Sequence, residues 1–126
     1  MFPPCSFERT IFTDVVSYEE LKQMISDGAV MLFDVREPYE FSNGSIPTST
    51  NIPLGEVQKA FTLSAVVFEE TYEMEMPTKD NGSIVVYCRS GKRSLEALNI
   101  LKGLGYRGVK HWDSHVCTNC ERLYSC

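Results

Sequence analysis

The chain has 126 residues, of which 43% are hydrophobic and 23% charged, and its formal net charge is −5 at pH 7. These values are typical of one soluble globular domain with its own hydrophobic core. The acidic balance argues against nonspecific nucleic-acid binding, which needs a basic surface, and no apolar run is long enough to span a membrane. The first residues lack the features of a secretory signal, so a cytoplasmic location is expected, with a mitochondrial one left open.

The N-terminal part of the chain predicts a flexible arm, a short strand and a helix. Residues 1–10 contain two prolines and no periodic pattern, which is typical of a loose arm ahead of a domain. A short first strand is predicted at Val15–Val16. Ser17 is a favourable N-cap with Glu20 at the capping-box position, so a helix is predicted over about Tyr18–Ser26.

A second strand is predicted at Ala29–Val35, where an apolar run is typical of a strand buried in a parallel sheet. Its end delivers Asp34 and Arg36 to the sheet edge at which α/β proteins build their sites. Our preferred interpretation of these two residues is a structural ion pair that holds neighbouring loops in register. The next elements are predicted as a short helix from Pro38, a strand at Thr50–Ile52, and helical pieces at Leu54–Ala60 and Leu63–Met74.

The pattern changes from strand to helix within the six residues Cys88–Arg93. Before them, Ile84–Tyr87 is a β-branched and aromatic run that predicts a buried strand. After them, leucines recur at helical spacing until Gly105, which is well placed to end a helix. A cysteine is therefore expected at the carboxyl end of a strand. A last strand is predicted at Val109–Trp112, which closes a domain over residues 11–112.

The loop that follows this cysteine has the features of an anion site. Backbone N–H groups at a helix start lack intrahelical partners, and the helix dipole favours negative charge there. Arg89, Lys92 and Arg93 add positive charge, and Gly91 permits a tight turn. These features favour the thiolate form of Cys88, so we predict nucleophilic catalysis by Cys88 on an anionic substrate.

Two chemistries can use a cysteine in such a loop: hydrolysis of a phosphate ester and transfer of a sulfur atom. Cysteine-dependent phosphatases are recognised by a cysteine and an arginine separated by five residues. Cys88 and Arg93 are separated by four. The ring of backbone amides is smaller by one residue, which suits a persulfide sulfur beside the cysteine rather than a phosphoryl group.

Several short segments, in a fixed order, carry a resemblance to a known family. They are Leu32–Glu37 (LFDVRE), Gly44–Pro47 (GSIP), Asn51–Leu54 (NIPL), Cys88–Ser94 (CRSGKRS) and Leu104–Tyr106 (LGY) followed by Val109. Together they resemble the single-domain rhodaneses, which are thiosulfate sulfurtransferase-like proteins. The resemblance covers about Val15 to Trp112.

The resemblance implies an α/β fold with a central, mostly parallel five-stranded sheet and helices on both faces. It also implies that Cys88 takes a sulfur atom from thiosulfate or a persulfide donor and passes it to a thiol such as glutathione, or to cyanide. No metal or organic cofactor is implied. Arg93 is expected mainly to organise the loop. The active loop is expected to comprise Cys88, Arg89, Ser90, Gly91, Lys92, Arg93 and Ser94, supported by Asp34 and Arg36.

Residues 113–126 depart from the family pattern, which commonly has a glycine pair and a tryptophan-containing helix there. Our preferred interpretation of Cys117, Cys120 and Cys126 is a divergent tail; a redox pair or, with His115, a zinc site are the alternatives. Two other functions stay open for the whole chain. One is a noncatalytic rhodanese-like binding module, and the other is a cysteine-dependent phosphatase or arsenate reductase.

Overall fold

The computed structural model describes residues 15–89 and 91–112. The predicted arm, the cysteine-containing tail and Ser90 lie outside these residues. The strands are β1 (Val15–Val16), β2 (Met31–Asp34), β3 (Thr50–Asn51), β4 (Ile84–Tyr87) and β5 (Lys110–Trp112). The helices are α1 (Tyr18–Ser26), α2 (Pro38–Ser42), α3 (Leu54–Ala60), α4 (Ala65–Tyr72) and α5 (Lys92–Gly103). Each of these helices is too short or too polar to cross a membrane.

The five strands form one sheet in the order β1-β5-β4-β2-β3, and every neighbouring pair is parallel. Parallel neighbours need long crossover connections, which the helices between the strands supply. The predicted five-stranded sheet is confirmed, and within the described residues it is wholly parallel. Because β4 is the central strand, the residue that follows it lies in the middle of the carboxyl edge of the sheet.

The residues of β4 alternate between two hydrophobic clusters, one on each face of the sheet. Ile84 and Val86 are buried with residues of α3, α4 and α5, whereas Val85 and Tyr87 are buried with Leu21 of α1. Successive side chains of a strand point to opposite faces, so a fully buried strand must be apolar at every position. The prediction of helices on both faces is confirmed.

Local capping explains where the predicted and observed helix ends differ. The predicted helix at Leu63–Met74 is shorter in the structure. Ser64 is its N-cap, with the hydroxyl accepting from the N–H of Val67, so α4 begins at Ala65, two residues later than predicted. Glu73 adopts a left-handed conformation with φ of 57° and ends that helix. The predicted capping box at the start of α1 is present, with Glu20 donating its N–H to the Ser17 hydroxyl at 3.0 Å.

Gly108 is required by a close approach between the chain before β5 and the turn before β4. A Cβ at this position would lie 2.7 Å from Gly82 Cα and 2.8 Å from the Asn81 carbonyl oxygen. Because both obstacles are backbone atoms, we expect Gly108→Ala to lower the free energy of unfolding by about 1–3 kcal/mol in urea denaturation. Gly103→Ala is the matched control, since a Cβ at Gly103 meets no atom within 4 Å. An equal loss in both variants would contradict this account.

Candidate active site

Cys88 lies at the carboxyl end of β4, immediately before the loop that leads into α5. Its side chain is fully buried, in the hydrophobic cluster beneath α5. Among the described residues, the backbone N–H of Gly91 donates to the sulfur at 3.0 Å and the N–H of Ser94 donates to it at 3.3 Å. Hydrogen bonds from backbone amides favour the negatively charged form of the group that accepts them. The loop therefore presents Cys88 as a sulfur held by preorganised donors.

Gly91 gives the loop its shape. It is the N-cap of α5 and has a φ of 91°, in the left-handed region that side chains with a Cβ rarely adopt. This conformation turns the chain from β4 into α5 within a few residues and directs the Gly91 N–H back to Cys88. Ser94 belongs to the first turn of α5, where backbone N–H groups have no intrahelical acceptor. The sulfur thus lies at the positive end of the helix dipole.

The basic residues predicted to surround the sulfur divide into two kinds. Arg89 and Lys92 are exposed beside the loop, where they can attract an anion from solvent. Arg93 instead forms a bidentate ion pair with Glu40 of α2, with N–O distances of 2.8 and 3.1 Å. Arg93 is thereby fixed to a neighbouring element, and its role as an organiser of the loop stays a prediction.

The sequence analysis did not identify Glu40 as a residue of the site. The signal that would have found it is the position of α2: this helix follows the end of β2, so it lies at the same edge of the sheet as Cys88. Glu40 also accepts from the N–H of Glu37 at 3.0 Å, which completes the N-terminal cap of α2. The hydrogen bonds from Arg93 hold the pKa of Glu40 at about 2, below its usual 4.5.

The Glu40–Arg93 pair should make stability depend on pH in the acidic range. Since the folded-state pKa of Glu40 is depressed, its contribution is present above about pH 4.5 and is lost as the pH falls toward about 2. We expect wild type to exceed Glu40→Gln by about 1 kcal/mol in free energy of unfolding at pH 6, after allowing for solvent screening. This difference should shrink at pH 3. Urea denaturation at both pH values measures it, and a constant difference would contradict the assignment.

Asp34 and Arg36 form a buried ion pair behind the loop. Arg36 donates Nε to both Asp34 carboxylate oxygens, at 3.0 and 3.1 Å, and its NH2 group donates at 2.7 Å to Oδ2. The same guanidinium donates to the carbonyl of Gly44 at 2.7 Å. Asn51 completes the arrangement by donating to the carbonyls of Asp34 and Arg36. The pair therefore connects the ends of β2 and β3 with the segment after α2.

The described residues contain no group of three or more His, Cys, Asp and Glu side chains that could hold a metal ion. His111, which lies near the tail cysteines in sequence, is instead buried in β5 and hydrogen-bonded to Ser94. Sequence reasoning did not assign His111 to the active loop, because its pairing with Ser94 depends on the packing of α5 on the sheet. The proposed zinc and redox alternatives involve residues outside the described part of the chain.

Comparisons with known proteins identify the family of this chain. The rhodanese-like domain family matches residues 17–114. A relative named putative mitochondrial thiosulfate sulfurtransferase from Schizosaccharomyces pombe is 41% identical over 82% of this chain and 72% of its own length. The human thiosulfate:glutathione sulfurtransferase is 35% identical over 77% of this chain and 84% of its own.

A solved structure of a similar protein has the same fold. The human single-domain sulfurtransferase TSTD1 superposes with a TM-score of 0.77 at 34% identity, over 79% of this chain and 88% of that one. The predicted family and fold are confirmed by these matches, and the names of the relatives agree with the predicted class of enzyme. The chain therefore belongs to the rhodanese-like domain family.

Proposed function

We propose that this protein is a sulfurtransferase that moves sulfane sulfur from thiosulfate or a persulfide donor to a thiol acceptor, through a persulfide on Cys88. The observation that carries the proposal is the pair of backbone amides, from Gly91 and Ser94, that donate to Cys88 Sγ. Such donors stabilise a thiolate before the reaction and the negative charge on sulfur during it. The names of the relatives support the class of reaction.

In the first half of the reaction, the Cys88 thiolate attacks the outer sulfur of thiosulfate. The new S–S bond joins Cys88 Sγ to that sulfur, while the S–S bond of thiosulfate breaks and sulfite leaves with the electron pair. No net oxidation of the system takes place, so no external oxidant is needed. The exposed Arg89 and Lys92 raise the local concentration of the anionic donor and orient it toward the loop.

In the second half, an acceptor thiolate attacks the outer sulfur of the Cys88 persulfide. The acceptor leaves as its own persulfide, and the electron pair of the broken S–S bond returns to Cys88 as thiolate. Because Cys88 Sγ is fully buried, an acceptor reaches the outer sulfur of the persulfide more easily than it reaches Sγ. This geometry favours attack on the transferred atom over formation of a mixed disulfide with Cys88.

We further propose glutathione as a physiological acceptor, by analogy with the human thiosulfate:glutathione sulfurtransferase. Cyanide is a suitable acceptor for an assay. The mechanism uses no metal or organic cofactor. The cytoplasmic location remains a prediction, since the Schizosaccharomyces pombe relative is named as mitochondrial.

The test of the proposed function is sulfur transfer with an anionic donor and with an uncharged one. Arg89→Ala should raise KM for thiosulfate about fivefold, since two unit charges 4 Å apart in water interact by about 1 kcal/mol. KM for an uncharged persulfide donor should hardly change. High salt should reduce the difference between wild type and variant, because exposed charges are screened.

Lys102→Ala is the matched control for Arg89→Ala. It removes one positive charge from the exposed surface at the far end of α5, about 15 Å along the helix from its start. We expect this control to leave KM for both donors unchanged. Equal effects of Arg89→Ala on the two donors would remove Arg89 from donor binding, and the absence of any transfer by wild type would contradict the proposed function itself.

A further inference from the structure

Two polar side chains that the proposed reaction does not use, those of Ser94 and His111, are buried together beneath the active loop. Ser94 is fully buried and His111 is 4% exposed. The Ser94 hydroxyl oxygen lies 2.9 Å from His111 Nδ1 and 3.2 Å from the carbonyl oxygen of Gly91. Burying a hydroxyl and an imidazole costs free energy unless their hydrogen bonds are made, so this contact restrains both side chains.

The directions of the hydrogen bonds among the three groups depend on the tautomer of His111, and one assignment joins all three groups. In this assignment the single hydroxyl hydrogen of Ser94 is donated to the Gly91 carbonyl, which can only accept and which also accepts from the N–H of Leu95 at 3.0 Å. The Ser94 oxygen is then available to accept from His111, which requires a hydrogen on Nδ1. The result is a continuous chain of hydrogen bonds from His111 to Ser94 to Gly91, in which each bond polarises the next.

This chain of hydrogen bonds ends on two residues that hold the nucleophile. Among the described residues, Gly91 and Ser94 donate their N–H groups to Cys88 Sγ, at 3.0 and 3.3 Å. We propose that His111 is a positioning residue for sulfur transfer, which acts through Ser94 and Gly91 to keep both amides directed at the Cys88 sulfur. This inference rests on the proposed function, and it adds a residue to that site.

The location of His111 suits this role because β5 is part of the rigid sheet. His111 pairs in register with Val86 of β4, and neighbouring residues in a parallel sheet place their side chains on the same face. That face is the one that α5 covers. The Glu40–Arg93 pair restrains the loop from its outer side, where the two side chains are 19% and 33% exposed. His111 restrains it from the interior.

Two substitutions separate hydrogen bonding from packing. His111→Asn keeps a donor close to the position of Nδ1 but loses volume, whereas His111→Leu keeps apolar volume but loses the donor. The first measurement is the rate of alkylation of Cys88 by iodoacetamide, followed on the Cys88 peptide by mass spectrometry, because alkylation requires the thiolate. The second is the rate of persulfide formation from thiosulfate. Thermal unfolding monitors the fold of each variant.

We expect His111→Leu to slow both reactions of Cys88 about tenfold, which corresponds to the weakening of one amide donor to the thiolate. His111→Asn should stay within about twofold of wild type, since it retains the donor. A purely structural role predicts the opposite order, with the leucine variant closer to wild type. That order would overturn the proposal, as would wild-type rates in a folded His111→Leu.

Ser94→Ala provides an independent test that does not disturb the sheet. It keeps the backbone N–H but removes the hydroxyl that joins His111 to Gly91, so it should slow both reactions of Cys88 by a similar factor. If His111 acts through Ser94, the double variant Ser94→Ala/His111→Leu should be no slower than Ser94→Ala. Multiplied effects in the double variant, or wild-type rates in Ser94→Ala, would overturn the proposal. If His111→Leu does not fold, the rates measured for Ser94→Ala decide whether the positioning role is right.

The two measurements also distinguish this inference from the proposed function. If wild type forms no persulfide but its alkylation depends on His111 and Ser94 as described, the proposed function fails and the positioning role stands. If wild type forms a persulfide and neither residue affects either rate, the function stands and the positioning role is wrong.

Discussion

Replacing Cys88 with serine is expected to lower the rate of sulfur transfer by about 10³-fold or more, because the hydroxyl of serine cannot replace the thiolate as the sulfur carrier. The amides of Gly91 and Ser94 donate to the sulfur at this position, but a serine hydroxyl there would stay neutral near pH 7 and be a weak nucleophile. The measurement is the initial rate of thiosulfate-dependent sulfur transfer to glutathione or cyanide.

The control for this variant is the removal of a different thiol. The N-terminal segment of residues 1–10 contains one cysteine, Cys5, which is distant in sequence from the active loop. Cys5→Ser should leave the rate within about twofold of wild type. The fold of Cys88→Ser should be intact, since serine is close to cysteine in size. Substantial sulfur transfer by a folded Cys88→Ser would mean that another group carries the sulfur.

The second large effect is expected at Asp34. In Asp34→Asn the guanidinium of Arg36, 2% exposed, would remain buried without the carboxylate that neutralises it. Loss of one partner of a buried ion pair typically costs about 3–5 kcal/mol, so thermal unfolding should shift down by about 15–30 °C. Below its unfolding temperature, Asp34→Asn should still show the circular dichroism of an α/β protein.

The chain supplies an exposed ion pair as the matched control. Arg107 and Asp80 lie 3.2 Å apart, and both side chains are 84% exposed. Asp80→Asn should change the free energy of unfolding by less than about 1 kcal/mol, because exposed pairs are weak. Similar losses in Asp34→Asn and Asp80→Asn would show that the buried pair does not stabilise the loops around the site.

Much of the fold could be predicted from sequence because its determinants are local. The apolar run at Ile84–Tyr87 predicted the central strand, and Ser17 with Glu20 predicted the start of α1 to the residue. The position of Cys88 at a strand end followed from the same patterns. The parallel five-stranded sheet followed instead from the family resemblance, and the order of its strands was not predicted, since periodicity does not specify which strands are neighbours.

The parts of the site that could not be predicted depend on contacts distant in sequence. Arg93 pairs with Glu40 across 53 residues, and Ser94 contacts His111 across 17. Periodicity and capping report only on neighbours within about two helical turns, so they give no sign of such partners. The direction of each side chain became evident only from the packing of α2 and α5 at the sheet edge.

The most direct test of the central claim is the intact mass of the protein after incubation with thiosulfate. Wild type, reduced beforehand, should gain one sulfur atom, about 32 Da, and lose it on treatment with a reductant. Cys88→Ser should gain no mass under the same conditions. If a folded, reduced wild-type protein gains no sulfur, or if Cys88→Ser gains as much as wild type, Cys88 is not the sulfur carrier and the account is wrong.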